Sequence, residues 1–214
     1  MGWKPFIIDN LYLISNIPFV NKYHLRGTSL TKGKKTMIKN TFNCQGTSNK
    51  IVFEGKGVVQ RCTFYIQGNN NTIIIKEGTN LTEVECWLQY DNNTIIIDEN
   101  SNLCGKTHLA CIEGTNIKIG KNCLFSSDIV FRTGDSHSVL DSEGKRINYS
   151  KDITIDDHVW IGYGSKINKG VHLSTDTIVA TGAVVTKSFE EKVAIGGNPA
   201  KVIRKDVTWD EHLI

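Results

Sequence analysis

His137 lies in the stretch RTGDSHSVLDSEGKRINYSKD, residues 132–152, with Asp135 and Ser136 directly before it. An imidazole titrates near neutrality, so a histidine at an irregular point of a chain is a candidate general base. The plainer reading is a solvent-facing or hydrogen-bonded corner residue. Asp135 could orient that ring or hold a hydroxyl, or Gly134-Asp135-Ser136 could simply be turn chemistry. Metal chemistry finds no support: His24, His108, His137, His158, His172 and His212 include no pair at the H-x-x-x-x-H spacing of a three-histidine zinc site. Gly162-Tyr163-Gly164-Ser165-Lys166 looks like a phosphate loop but lacks the G-x-x-x-x-G-K-[ST] frame.

What must position these residues is a repeat. Downstream the chain divides into hexads, IDDHVW, IGYGSK, INKGVH, LSTDTI and VATGAV, starting at Ile155, Ile161, Ile167, Leu173 and Val179. The first position of each is aliphatic, and the fifth (Val159, Ser165, Val171, Thr177, Ala183) is small or β-branched. Neither helical nor simple alternating periodicity gives that pattern; a coil of short strands with two inward positions per side does. Upstream the period is 22, carried by Phe53, Ile75, Ile97 and Ile119. From Ile119 it tightens to 18, through His137, Ile155 and Leu173. The expectation is one solenoid of three-sided coils, the earlier ones carrying about four extra residues at an Asn-rich corner. In phase, Asp141, Glu143 and Tyr149 would fall on inward positions, so about 138–152 should leave the wall as a loop rooted at His137. The expected organisation is a cap over 1–28, the solenoid over 29–200, and a terminal helix over 201–214 from the spacing of Val202, Ile203, Val207 and Leu213.

Bulk properties narrow the function. The net charge of +3, with Lys and Arg scattered rather than blocked, argues against nucleic acid. The apolar run FIIDNLYLISNIPFV is broken by polar residues, against a membrane span or signal core. Six cysteines without a secretory pattern read as free thiols in a reducing cytoplasm, with Cys44, Cys62, Cys86 and Cys104 as inward filler.

The hexads from Ile155 to Ser188, the segment HVWIGYGSKI and the tail AIGGNPAKVIRK resemble the hexapeptide-repeat acyltransferases. The DSH segment, the RIN before the hexads and the GGNPAKVIR ending are similar to bacterial O-acetyltransferases of capsule and lipopolysaccharide biosynthesis. The resemblance covers about residues 113–205 and implies an all-β, left-handed parallel β-helix. Parallel crossovers alone would favour the opposite hand. It further implies a homotrimer with acetyl-CoA in a groove between subunits and a carbohydrate acceptor. Carried over residue by residue, it assigns the base to His137 and puts coenzyme contacts at Tyr163, Thr181, Thr186, Lys187, Lys201 and Arg204. Trp160, at an outward sixth position, is a further catalytic-site candidate that either stacks on another subunit or touches the pantetheine or acetyl end. Asp135 and Ser136 are the candidate acceptor contacts. A polymer such as a sialic-acid capsule, an activated sugar or a small molecule all remain open as acceptor, and a non-catalytic binding module is the competing class.

Overall fold

A computed structural model describes residues 20–213. The chain winds through seven complete three-sided coils and closes with a hairpin. Each coil gives one strand to each of three parallel sheets, here called the first, second and third faces, with eight, seven and nine strands. The first strand, Lys22–Leu25, lies inside the stretch expected as a cap, and the second, Thr28–Thr31, begins at its last residue; residues 1–19 of that cap lie outside the described residues.

Register follows the repeat. On the second face Phe53, Ile75, Ile97 and Ile119 stack in turn, then Ile155 and Leu173. The extra residues of the lower coils fall between the first and second faces: eleven positions separate Phe64 from Ile75, against six from Ile167 to Leu173. Their Asn residues do more than turn the chain. Asn49, Asn71 and Asn93 are buried, and each carboxamide oxygen accepts a backbone N–H from the coil above, Asn71 N to Asn49 Oδ1 and Asn93 N to Asn71 Oδ1 at 2.9 Å each. A corner that cannot make ladder bonds thereby still satisfies its buried amides. First and fifth hexad positions are all buried, and the lower bore is filled by rings, Phe42 stacking on Phe64 at 4.8 Å with Phe53 edge-on to Phe64 at 5.3 Å. Burial removes each such side chain from water for roughly 1.5–3 kcal/mol.

Three expectations are corrected. Above Ile119 stands Ile155, 36 residues on, so His137 belongs to the projection and not to the wall column. Cys104 is exposed, while the other five cysteines are buried. No helix forms over 201–213. Gly197, at φ 96°, helps turn the chain back, and Ala200–Lys205 pairs antiparallel with Val193–Gly197. The top coil offers an open sheet edge, whereas a helix there would need an apolar face to bury, and Val202 and Ile203 are 42% and 66% exposed.

Candidate active site

The wall stops at Val130–Arg132 and resumes at Ile153–Ile155, and the intervening residues project from the corner between the first and second faces. The projection is a short hairpin. Leu140 bridges Arg146, the Ile147 amide donates to the Val139 carbonyl at 2.9 Å, and Asp141 Oδ1 closes the tip by accepting from the Glu143 and Lys145 amides. Its base is laced to the coil: Lys151 N donates to Thr133 O at 2.8 Å and Asn116 N to Asp152 Oδ1 at 2.8 Å. Arg146 forks onto Glu113 at 2.6 and 2.9 Å, and the Ser150 hydroxyl adds a third bond to that carboxylate at 2.6 Å. These donors hold the Glu113 carboxyl down at about 2.

Asn148 organises the root of the hairpin. Its Nδ2 donates to the His137 carbonyl and to Asp135 Oδ2, both at 2.8 Å, while its Oδ1 accepts from Val139 N at 2.7 Å. Lys169, one coil up, is paired with Asp135 and also donates to the Asn148 carbonyl at 3.1 Å. Asp135 is thus tied to Lys169 and Asn148, and Lys169 holds its carboxyl below the usual range. Ser136, at φ 64°, accepts from Arg132 at 2.8 Å. His137 is exposed and its ring makes no hydrogen bond among the described residues, at a root whose backbone is fixed.

The coenzyme candidates divide between three places. Tyr163 and Thr181 stack at the corner between the third and first faces, where Gly182 N donates to Tyr163 O at 2.7 Å. Asp128 beside the Tyr163 hydroxyl raises its pKa, and Thr181 is exposed one coil above Tyr163. A Cβ at Gly162 would stand 2.8 Å from Thr181 N, so glycine permits this close stacking, whereas side chains built at Gly164 or Gly182 would meet nothing within 4 Å. The corner is open to an extended ligand. Trp160 points out of the third face, 40% exposed, and the column above it runs Ile178, Ala194, Arg204; Lys201 pairs with Gly196 on the same hairpin. Thr186 and Lys187 follow the last strand of the first face, Lys187 with its ammonium 5.5 Å from the Phe189 ring. Within one chain, then, His137 stands at one edge of the first face and Tyr163 with Thr181 at the other.

Several residues of this site were not singled out from the sequence. Asn148 and Arg146 lie in the RIN segment noted for its resemblance; Glu113 and Lys169 carry no local signal, because their partners are 33 and 34 residues away. Trp209 is a further one. Its tail runs down the coils, Val207 N to Lys192 O, Thr208 to Asp176 and Trp209 Nε1 to His158 O at 2.8 Å, and its ring stacks on His158 at 4.3 Å and lies 6.2 Å from Trp160. Thiol chemistry is disfavoured at the buried cysteines: burial pushes Cys44 and Cys111 up to about 11, and Cys62 and Cys123 up to about 12. No cluster able to hold a metal ion occurs among the described residues.

Stacked three-sided coils, hexad-filled from Ile155 upward and interrupted by one histidine-bearing hairpin, are the architecture seen in hexapeptide-repeat proteins, and solved structures share it. No protein-family profile matches the chain. It is 36% identical over 95 residues to a polysialic acid O-acetyltransferase of Escherichia coli O1:K1 / APEC, a match covering 44% of this chain and 31% of that protein. The crystal structure of the polySia-specific acetyltransferase NeuO superposes with a TM-score of 0.83 at 26% identity, covering 91% of this chain and 83% of that one. The polysialic acid O-acetyltransferase OatWY superposes at 0.68 and 26% identity, covering 85% and 92%. The chain spans about a third to a half of the length of the curated relatives it matches. These likenesses give the chain the left-handed β-helix fold of the solved polysialic acid O-acetyltransferases and make it similar to hexapeptide-repeat acetyltransferases, with bacterial polysialic acid O-acetyltransferases among its relatives. No helix among the described residues is long and apolar enough to cross a membrane.

Proposed function

We propose that the chain is an O-acetyltransferase that moves the acetyl group of acetyl-CoA to a hydroxyl of a bacterial polysaccharide or its precursor, with His137 as general base. The observation that carries this reading is the His137 ring, exposed and without a hydrogen-bonding partner among the described residues while its backbone is fixed through Asn148. His137 takes the proton of the sugar hydroxyl as that oxygen bonds to the thioester carbonyl carbon. The C–S bond then breaks, and His137 returns the proton to the departing thiolate, so no acyl-enzyme forms. A backbone N–H at a glycine-lined corner would stabilise the developing oxyanion. Lys201 and Arg204 would take the coenzyme phosphates and Thr181 its chain, beside Trp160; Tyr163, Thr186 and Lys187 complete the groove. Asp135 and Ser136 border the acceptor.

The separation of His137 from Tyr163 and Thr181 across the first face supports a homotrimer in which one copy supplies the base and its neighbour the coenzyme corner. The exposed apolar side chains of the hairpin (Val139, Leu140, Ile147 and Tyr149) suit burial against such a neighbour. Free cysteines and a thioester donor fit a cytoplasmic setting. The test is labelled acetyl-CoA with a panel of bacterial polysaccharides and NMR of the product. His137→Ala should lose at least ~100-fold in transfer while CoA still raises its melting temperature. Near-normal turnover in that variant rejects the assignment, and absence of any CoA-dependent stabilisation in the parent rejects the enzyme class.

A further inference from the structure

The modest overall charge conceals a gradient along the solenoid. Residues 20–61, the first two coils, hold nine Lys and Arg against one acidic residue, Glu54, whereas residues 62–112 hold two against six and residues 113–214 are nearly balanced. Residues 1–19 add one lysine and one aspartate and so no net charge. The sequence expectation of scattered cations is therefore corrected by the coil geometry, which compresses those 42 positions into two layers. Lys35 is spent on backbone carbonyls and Arg61 on Glu83. Arg26, Lys34, Lys50 and Lys56 are exposed and form no ion pair among the described residues. Arg26 sits at the corner between the first and second faces, Lys50 on the second face, and Lys34 and Lys56 at its far corner.

We infer that this basal collar is an acceptor-binding site distant from the chemistry, built for a polysaccharide that carries carboxylates along its chain. The inference rests on the acetyl-transfer reading for the identity of the polymer, not for the existence of the site. The His137 hairpin opens from the same corner as Arg26, five strand steps higher, about 24 Å at ~4.8 Å per step. Between them the corner is a polar ridge with Thr47, Asn69 and Asn92, and Tyr90 is 60% exposed on it. Its acids are already engaged, Asp91 by the Asn69 amide and side chain and Glu113 by Arg146. A chain long enough to span both points would be tethered at the collar while a distal hydroxyl meets His137, which raises its effective concentration there. Duplex nucleic acid fits less well: it presents one charge per ~1.7 Å, whereas the collar's cations are spread over a face and two corners in layers ~4.8 Å apart.

The experiment measures binding of end-labelled polysialic acid by fluorescence anisotropy, with neutral dextran and duplex DNA as comparators. The proteins are the parent, His137→Ala, and the triple variant Arg26→Glu, Lys34→Glu, Lys50→Glu. Polysialic acid should bind the parent and His137→Ala alike, weaken at least ~10-fold between ~50 and ~200 mM salt, and bind the triple variant at least ~10-fold more weakly. In turnover, that variant should raise KM for the long polymer with kcat unchanged and leave transfer to a short sialic-acid oligomer untouched, and its melting temperature should match the parent. Parent-like polymer binding by the triple variant overturns the inference, as does dextran binding equal to polysialic acid, or tighter binding to DNA. Polymer binding without acetylation of any acceptor would sink the acetyl-transfer reading and leave this one standing.

Discussion

Asn148 holds His137 by its backbone and not by its ring: one side-chain nitrogen reaches the His137 carbonyl and the Asp135 carboxylate, each at 2.8 Å. This leaves the imidazole free for proton transfer while fixing the point from which it projects. Since small misplacements of a catalytic group cost up to ~100-fold, Asn148→Ala should lower kcat by roughly 10–100-fold. KM for acetyl-CoA and the melting temperature should stay near the parent's, because the coil wall does not depend on the hairpin root. Steady-state kinetics beside a thermal melt would check it; an unchanged kcat refutes the positioning role.

Glu113 makes the hairpin acid-sensitive. Its folded pKa of about 2, set first by the Arg146 hydrogen bonds and then by Ser150, lies below the ordinary ~4.3 of a glutamate. A depressed carboxyl stabilises the folded form above its ordinary pKa, and that contribution fades as pH falls from ~4.3 toward 2. Protection factors of the amides of residues 138–150, taken against the intrinsic exchange rate at each pH, should therefore fall over that window while the wall stays protected. Glu113→Gln should show the loosened hairpin already at neutral pH. Equal protection of the hairpin at both ends of the window contradicts this.

Much of the solenoid could be read from residue types alone because its core is periodic: Phe53, Ile75, Ile97 and Ile119 are one physical column, and the pairings reproduce it. The column failed at His137, since an inserted hairpin of near-coil length keeps the count in multiples of 18 while leaving the wall. A candidate site could be named from sequence only where a single residue type suggests the chemistry, as His137 does. Glu113, Lys169 and Trp209 act through partners brought close by stacking, and no local pattern encodes a neighbour one coil away. The terminal helix failed for a related reason: spacing of Val202, Ile203 and Val207 says nothing of the free sheet edge that captures Ala200–Lys205.

The buried asparagine column should show its worth under mutation. Asn71 Oδ1 accepts the Asn93 amide at 2.9 Å and its Nδ2 donates to Tyr90 O at 2.8 Å. Asn71→Ala keeps the turn but strands these buried groups, for a loss of roughly 1–3 kcal/mol. Asn71→Asp keeps the acceptor and loses the donor, so it should fall between parent and alanine only if its carboxylate stays solvated; in this buried corner it should be at least as damaging as alanine. Denaturant melts of the three proteins decide it, and an alanine variant as stable as the parent would reduce the column to turn chemistry.

Lys35 offers the opposite titration. Its ammonium donates to the carbonyls of Lys56, Lys76 and Thr79 at 2.6, 2.7 and 3.1 Å, in space that Gly57 leaves open. Burial lowers its pKa from 10.5 to about 8, although Glu77 and Glu54 pull the other way. Below about 8 both folded and unfolded chains carry the proton, so the cost of burying the charge is constant. Between about 8 and 10.5 the folded lysine sheds its proton while the unfolded one keeps it, so stability should rise with pH over that window. Lys35→Met removes three carbonyl contacts and should cost roughly 1–3 kcal/mol at neutral pH. The gap between parent and variant should widen from pH 8 to 10 in urea melts; a constant gap across that range would show that the ammonium is not buried as the carbonyl cage requires.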